Sequence, residues 1–429
     1  MILQKVIIHP SGFVVPLWYT LRVTTPREIR RTYKLKLRPS AATVTTFLST
    51  LDVCRELYNA TIQERKEAYR HKLACKEVGC KWCVPVSFYS QQAQLPEIRK
   101  ERPDCATLHS VLLKDVLFRV DRAFKAFFRR VKAGKTPGYP RFRSRCRYDS
   151  FSYLSDGFKL DGNRLHLSKI GWIRFWEHGK LDASRVQVKT VTIRREADAW
   201  YAVLSCVEVT PARLPETGRA VGLDMGLHAL IATSEGVVLP VPAALREAQK
   251  RLSRQQRALS RKRNKRSNRR RKAVNDLARA HKNLRETRAL ELHRITKNLV
   301  ETFDLIAIEK LNVEAMGRMG GHNARGRGFR RSMRNAAWGT LRQQLVYKAE
   351  WAGRQVVEVD PRNTSQECSG CGRLVPKTLR ERTHRCPHCG LVLHRDVNAG
   401  KVVLKRALAG PSPRAGPVRT PVEASRLVH

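Results

Sequence analysis

The chain has 429 residues, with 84 Lys and Arg against 37 Asp and Glu, which gives a formal net charge of +47. An apolar fraction of 42% is enough for hydrophobic cores, so the composition excludes a wholly disordered basic protein. A charge this large repels itself unless a polyanion neutralises it, which favours nucleic acid as the partner.

The sequence lacks an apolar run near the ~20 residues that a membrane-spanning helix needs. The longest such run, residues 12–21, contains Pro16, is soon followed by arginines, and does not read as a signal peptide. With 11 cysteines and no secretory signal, metal binding in a reducing compartment is favoured over a disulfide framework. The cytoplasm of a bacterium or archaeon, or a nucleus, fits these observations.

The first third of the chain predicts one basic strand and then a helical module. Alternating residues at 32–37 indicate the strand. Apolar residues at helical spacing begin at Val44, with Ser40 as the candidate N-cap, and a second strong helix spans about residues 108–133. We therefore expect residues 44–133 to be helical throughout.

From residue 139 to about 208 the pattern changes to short β-rich segments separated by turn residues, which predicts a small β-barrel or sheet. The segments lie at 164–167, 172–176, 186–193 and 200–207. Aromatic and basic residues alternate where this region begins, a combination that suits stacking on bases and pairing with phosphates. These candidates are Tyr139, Arg141, Phe142 and Arg143. A solvated basic loop with buried rings is the alternative.

After a linker at 211–217, three strands are predicted at 220–227, 230–233 and 237–239, followed by one long helix. Residues 246–272 of this helix carry 14 Lys and Arg with one acid. Such a run is often only a solvated face, but cations without counter-charges favour an anionic ligand. The phosphate-binding candidates are Arg261, Lys262, Arg263, Arg269, Arg270 and Arg271.

The last part of the chain predicts a buried strand at 305–309 and a helix near 338–351. Two Cys-x2-Cys pairs follow, with the spacing of a zinc ribbon in which each pair directs two sulfurs at one tetrahedral ion. These are Cys368, Cys371, Cys386 and Cys389. His384 and His388 are alternative ligands, but four thiolates complete a closed structural site. We expect one structural Zn²⁺ without a catalytic role.

A second set of thiols, Cys75, Cys80 and Cys83, lies near His71 in a segment between two predicted helices. Its spacing is irregular, so two interpretations stay open, a second zinc site and free structural cysteines.

Three carboxylates accompany the predicted elements of the second half. Asp224 lies in an apolar strand, where an unpaired buried charge is costly, and Glu309 ends another apolar strand. Asp396 starts a predicted helix, where N-capping is the alternative explanation. Hydrolysis of a phosphodiester with two divalent ions needs several carboxylates that converge on metals about 4 Å apart. Together, on a basic chain, the three favour an RNase H-like nuclease with two metal ions.

Four stretches resemble a known family. They are residues 221–233, 308–311, 360–371 and 395–399. These stretches are similar to the three RuvC motifs and the zinc finger of TnpB, a family of transposon-encoded RNA-guided endonucleases related to small type V CRISPR effectors. The resemblance covers about residues 31–406. It implies that Asp224, Glu309 and Asp396 form the site of two Mg²⁺ or Mn²⁺ ions.

The resemblance also implies a multidomain α+β fold. Its expected parts are an N-terminal extension at 1–30, a β-barrel wedge domain at 31–43 and 136–215, a helical recognition module at 44–135, a RuvC-like nuclease domain at 216–409 with a zinc ribbon inserted at about 363–392, and a disordered tail at 410–429. The barrel would hold RNA and help to read a short target-adjacent motif. The helical module would contact the heteroduplex of guide and target.

The partners that the resemblance implies are a guide RNA derived from the transposon end and double-stranded target DNA, with one copy of the chain per RNA. A prokaryotic cytoplasmic location at the nucleoid, without a membrane partner, follows from these. Three features depart from the family. Residues 1–30 look like an addition, residues 75–83 look like an insertion, and Gly400 stands where alanine is usual.

Three other functions compete with this interpretation. A transposase of the histidine-rich type would use a His-x-His metal pair, which none of the 13 histidines forms. A non-cleaving RNA-guided DNA-binding protein would usually lack one of the carboxylates, and all three are present. A small type V CRISPR effector stays open, because a CRISPR array beside the gene, rather than the chain itself, would identify it.

Overall fold

A computed structural model describes residues 7–8, 14–15, 28–77, 86–176, 186–209, 213–226, 229–264, 266–312, 316, 337–378 and 381–410. The chain forms two compact units, an N-terminal unit of Thr25–Thr210 and a C-terminal unit that combines Met1–Thr24 with Pro211–His429. Within the predicted extension, Ile7–Ile8 (β1) pairs with Val14–Val15 (β2). The predicted tail lies outside the described residues after Gly410. None of the helices described here is long and apolar enough to cross a membrane.

The N-terminal unit begins with the strand Glu28–Arg38 (β3), which contains the predicted strand and extends it on both sides. Alternate side chains of β3 are buried, as expected for a strand with one face on a core. Five helices follow in the described part of the segment that was predicted to be helical, residues 44–133. They are Ala41–Glu77 (α1), Phe88–Ala93 (α2), Leu95–Glu101 (α3), Pro103–Thr107 (α4) and Ser110–Lys132 (α5). The Ser40 hydroxyl accepts a hydrogen bond from Thr43 N at 3.2 Å, which confirms the predicted cap.

The described part of the N-terminal unit contains six further strands. They are Ser150–Leu154 (β4), Phe158–Asp161 (β5), Arg164–Leu167 (β6), Gly171–Phe175 (β7), Val186–Glu196 (β8) and Ala199–Val209 (β9). With β3 they form one antiparallel sheet in the order β4-β8-β9-β3-β7-β6-β5. Among the described residues the end strands β4 and β5 do not pair, so closure of this sheet into a barrel stays a prediction.

The helices and the sheet of this unit share one hydrophobic core. The Phe47 ring of α1 lies 5.7 Å from the Phe151 ring of β4 and 4.8 Å from the Trp200 ring of β9. Leu112, Leu113 and Val120 of α5 are also fully or almost fully buried in it. The predicted boundary between a β domain and a helical module therefore runs through a common core.

The C-terminal unit contains a five-stranded sheet, several helices and a small hairpin. The elements are Ala220–Asp224 (β10), Ala229–Thr233 (β11), Val238–Pro240 (β12), Ala243–Ser260 (α6), Asn268–Thr302 (α7), Leu305–Glu309 (β13), Trp338–Ala352 (α8), Gln355–Val359 (β14), Thr383–Arg385 (β15), Val392–His394 (β16) and Arg395–Leu408 (α9). The sheet order is β12-β11-β10-β13-β14. Strands β10, β13 and β14 are parallel, whereas β11 and β12 are antiparallel to their neighbours.

The prediction of one long basic helix after β12 was wrong. Helix α6 ends at Ser260 and α7 begins at Asn268, and the two helices pack against each other. The break is made by polar side chains that satisfy backbone amides locally. The Ser267 hydroxyl accepts from Arg270 N at 3.2 Å, and the Asn264 side chain accepts from Arg266 N at 2.9 Å.

Candidate metal and nucleic-acid sites

Two of the three candidate carboxylates end neighbouring parallel strands. Strand β10 ends at Asp224 and β13 ends at Glu309, and the register pairs Leu223 with Ile308. Because parallel strands end at the same edge of a sheet, both carboxylates lie at that edge. The strand residues before them are buried, and Glu309 itself is only 6% exposed. The two apolar strands therefore position two carboxylates where little water reaches them.

The third carboxylate, Asp396, is brought to the same edge by a close packing of helix on strand. Helix α9 lies across β10, β11 and β13. A Cβ atom on Gly222 would lie 2.0 Å from Gly400 O, so the backbones of β10 and α9 touch directly. A Cβ atom on Gly400 would lie 3.0 Å from Ser234 N and 3.1 Å from Gly222 O, which gives a steric reason for the glycine at this position. Asp396 is one helical turn before Gly400.

The electrostatics couple the three acids to one another. Burial, and then the negative charges of Glu309 and Asp396, raise the pKa of Asp224 to about 8, while Arg395 lowers it. Burial raises the pKa of Glu309, opposed by a hydrogen bond from Thr364 and by the charge of Arg406. Carboxylates held together against mutual repulsion fit hard divalent cations, which prefer oxygen ligands.

Capping does not account for Asp396. The N-cap of α9 is His394, whose Nδ1 accepts a hydrogen bond from Asp396 N at 3.3 Å. The Asp396 carboxylate lies instead 3.9 Å from the Arg382 guanidinium. N-capping, the alternative explanation for Asp396, is therefore the role of His394.

A set of buried hydrogen bonds, not foreseen from the sequence, supports the carboxylates. The Thr364 hydroxyl donates to Glu309 Oε1 at 2.5 Å. Asn398, two residues after Asp396 and fully buried, donates from Nδ2 to Glu367 O at 2.7 Å and accepts from Ser369 N at 3.0 Å. Thr364 and Asn398 lie within two of the stretches that resemble the family. Their position there was the only indication in the sequence analysis that they have a role at the site.

The four cysteines of the two Cys-x2-Cys pairs come together in the hairpin region of β15 and β16. Their sulfur atoms all lie within 4.8 Å of one another. Cys368 Sγ is 3.6 Å from Cys389 Sγ, and Cys371 Sγ is 3.6 Å from Cys386 Sγ. Thiolates at about 2.3 Å from a tetrahedral Zn²⁺ are about 3.8 Å apart, so the cluster fits this ion. The three carboxylates do not form a group of that tightness among the described residues.

The alternative histidine ligands lie outside this cluster. The ring of His384 is fully buried with neither nitrogen hydrogen-bonded within the described part of the chain, and burial and then the charge of Lys377 lower its pKa. His388 Nδ1 is 3.0 Å from the Arg373 guanidinium. Of the second thiol set, Cys80 and Cys83 lie outside the described residues. The sulfur of Cys75 lies 3.5 Å from His71 Nδ1.

We expect purified protein to hold one zinc per chain, measured by elemental analysis. Cys371→Ser should remove the zinc and also reduce cleavage, because Glu367 and Ser369 beside the first thiols are hydrogen-bonded to Asn398 of the helix that carries Asp396. Cys146→Ser is the matched control, because Cys146 is also exposed but lies outside the cluster. Zinc-free protein with full activity would contradict this prediction.

The aromatic and basic candidates of the N-terminal unit are on its surface. Tyr139 and Phe142 are 40% and 48% exposed, and Arg141 and Arg143 are exposed as well. The alternative of buried rings is therefore wrong for these two residues.

In the C-terminal unit most of the predicted basic candidates lie on or beside the turn between α6 and α7. Arg261, Arg263, Arg269 and Arg271 are exposed and Lys262 is half-buried. Arg270 differs, because its guanidinium donates to Lys262 O at 2.5 Å and closes the end of α6. The turn presents a dense positive surface, whereas Arg270 has a structural role within it.

Comparison with known proteins gives the family. A family model described as "Probable transposase" matches residues 204–319, and one described as "Cas12f1-like, TNB domain" matches residues 338–403. A solved structure, "Structure of the mini-RNA-guided endonuclease CRISPR-Cas_phi3", covers 91% of this chain and 94% of that chain at a TM-score of 0.43 and 10% identity, too low a similarity to bear on function.

Two relatives match almost the whole chain. "Putative RNA-guided DNA endonuclease InsQ" of Escherichia coli K12 is 30% identical over 387 residues, which are 87% of this chain and 91% of that protein. "Putative RNA-guided DNA endonuclease" of Streptomyces pristinaespiralis is 31% identical over 415 residues, which are 93% of this chain and 94% of that protein. By this near-complete similarity, the chain belongs to the TnpB family of RNA-guided DNA endonucleases.

Proposed function

We propose that the chain cuts double-stranded DNA beside a short target-adjacent motif, guided by an RNA from the end of a transposable element. Hydrolysis would take place at Asp224, Glu309 and Asp396. The observation that carries the proposal is the arrival of these carboxylates from three separate elements at one sheet edge, where two of them raise the pKa of the third.

In this proposal Asp224, Glu309 and Asp396 hold two Mg²⁺ or Mn²⁺ ions. Such ions, when bound, stabilise the charge that develops on the attacking and leaving oxygens of a phosphodiester. The protein's own part is to keep the acids fixed and poorly hydrated. Thr364 orients Glu309, and helix α9, whose N-cap is His394, orients Asp396. Ca²⁺ is expected not to support cleavage. Its coordination shell is larger and looser than the octahedral shell of Mg²⁺, so it does not hold the geometry that the reaction needs.

The same proposal assigns a role to each of the other parts of the chain. The sheet of the N-terminal unit, closed as a wedge barrel, would hold RNA and help to read the motif. The helices at 44–135 would contact the heteroduplex, and the RuvC-like domain at 216–409 would cut. Exposed residues such as Arg141 and Arg263 support nucleic-acid contact in both units. One chain per RNA is the assembly we propose, in a prokaryotic nucleoid.

The guided mechanism is tested by removal of the RNA. Protein purified at low salt is expected to carry one specific RNA, because a net charge of +47 needs a polyanion, and high salt should release it. RNase treatment should abolish cleavage of a matched target, and the RNA added back should restore it. A treated protein that cuts the same target at the untreated rate would show that no guide is used.

A further inference from the structure

The N-terminal unit carries a column of aromatic rings that leads from its core to its surface. The Tyr139 ring lies edge-on to Phe124 at 5.7 Å and to Phe127 at 5.3 Å. Phe124 is buried, whereas Phe128, which contacts both Phe124 and Phe127, is 56% exposed. Exposed rings grouped in this way form a flat apolar surface, and a ligand that covers this surface gains free energy by displacing water from it.

A cleft lies beside this column, between α1 and residues 137–142. It has a volume of about 340 Å³, and Ile62 and Lys66 of α1 form its other wall. This size is near the lower end of the ~300–1,000 Å³ found for small-ligand sites. The cleft therefore has room for a single ring system and not for a folded polynucleotide.

The segment that forms the cleft is held in place before any ligand binds. The side chain of Asn59 in α1 makes two hydrogen bonds to the Arg143 backbone, accepting from N at 2.8 Å and donating to O at 3.0 Å. The Arg145 guanidinium is hydrogen-bonded to Asp52 of the same helix. Pro137 and Pro140 further restrict the backbone. A site fixed in this way loses little conformational entropy on binding.

The charge around the cleft indicates the chemistry of its occupant. Among the described residues that line it, Lys66 and Arg141 are cationic and none is acidic. The Lys66 ammonium lies over the Phe142 ring, 5.1 Å from its centre, so a cation and an aromatic ring line the same cleft. A ligand that matches both is a planar ring joined to an anion.

We propose that this cleft binds one unpaired nucleobase of a single strand, which stacks on Phe142 while a flanking phosphate pairs with Arg141. The proposal rests on the proposed function to the extent that the chain acts on nucleic acid. A base in a duplex has both faces covered by its neighbours, so only an unpaired base offers a free face to Phe142. RNA and DNA share this chemistry, and the choice between them is left to the test.

The test uses the full chain and short oligonucleotides of RNA or DNA, single-stranded or duplex, that contain 2-aminopurine. Stacking on one aromatic ring contributes about 1–3 kcal/mol, so Phe142→Ala should weaken single-strand binding about 5- to 150-fold and remove the fluorescence quenching. Phe142→Trp should retain both. Arg141→Ala should lower the salt slope of the affinity by about one, whereas Phe142→Ala should leave it unchanged.

The matched control is Tyr89→Ala, since Tyr89 is 79% exposed in the same unit but does not line the cleft. A Phe142→Ala protein that binds single strands like the Tyr89→Ala protein, or that loses duplex affinity equally, would overturn the proposal. Guided cleavage is measured separately on the same samples. A Phe142 effect on single strands without any guide dependence of cleavage would reject the proposed function and support the cleft, whereas guided cleavage without a Phe142 effect would reject the cleft alone.

Discussion

Asp224→Ala is expected to lower guided DNA cleavage by several orders of magnitude while guide-dependent DNA binding is retained. The variant removes one of the acids proposed to hold divalent ions, whereas binding rests on arginines and lysines and the surface only becomes more positive. Glu309→Ala and Asp396→Ala should behave alike. Glu235→Gln is the matched control, because Glu235 is a partly exposed carboxylate of the same unit bonded to Arg219. Cleavage by Asp224→Ala at the wild-type rate would remove the enzymatic interpretation.

The stability of the same site gives an independent readout. Because the pKa of Asp224 is raised to about 8, the folded protein binds this proton more tightly than the unfolded chain, whose Asp pKa is about 3.9. The free energy of unfolding therefore falls as pH rises through this interval. With metals chelated, Asp224→Asn should melt above the wild type, and by more at about pH 8.5 than at about pH 5.5. A structural role for the carboxylate predicts the opposite, a lower melting temperature for the variant.

Gly222→Ala is expected to have the second large effect, although the residue carries no functional group. Its Cβ would lie 2.0 Å from Gly400 O and 2.6 Å from Leu404 N, both backbone atoms, so α9 must move away from β10. Such overpacking costs about 1–3 kcal/mol and occasionally more, and a shift of about 1 Å at Asp396 can lower the rate about 100-fold.

Gly339→Ala is the matched control for this prediction. Gly339 lies in the first turn of α8 with nothing within 4 Å of an added Cβ, so the change should leave the melting temperature unchanged or raise it slightly. Both variants are compared by melting temperature and by cleavage rate well below the melting point. Equal values for Gly222→Ala and Gly339→Ala would show that the contact of β10 with α9 does not position Asp396.

The strands that carry Asp224 and Glu309 could be predicted because their apolar runs are short and end in an acid. The four-cysteine cluster could be predicted because its members are close in sequence. The break between α6 and α7 could not be predicted, because it contains neither Gly nor Pro. Serine, the residue type that caps α7 at position 267, also occurs inside helices. Strand β14 was missed, since the apolar residues Val356, Val357 and Val359 have their meaning only beside a parallel neighbour.

The contacts between distant residues explain the rest of what sequence reasoning missed. Thr364 and Glu309 are 55 positions apart, and no periodicity or spacing rule joins them. Arg270 looked like its basic neighbours, yet its guanidinium is used inside the turn. In both cases the fold decides which polar side chains form hydrogen bonds within the protein. The composition gives only the number of such side chains.

The hydrogen bonds of Asn398 bear on how far this protein can be shortened. The ribbon is the only covalent path from β14 to α9, and its base, through Thr364, Glu367 and Ser369, touches both Glu309 and the helix of Asp396. A compact variant that replaces residues 363–392 by a flexible linker would keep the chain connected but lose these supports. Engineers who seek a smaller nuclease should therefore shorten the chain elsewhere.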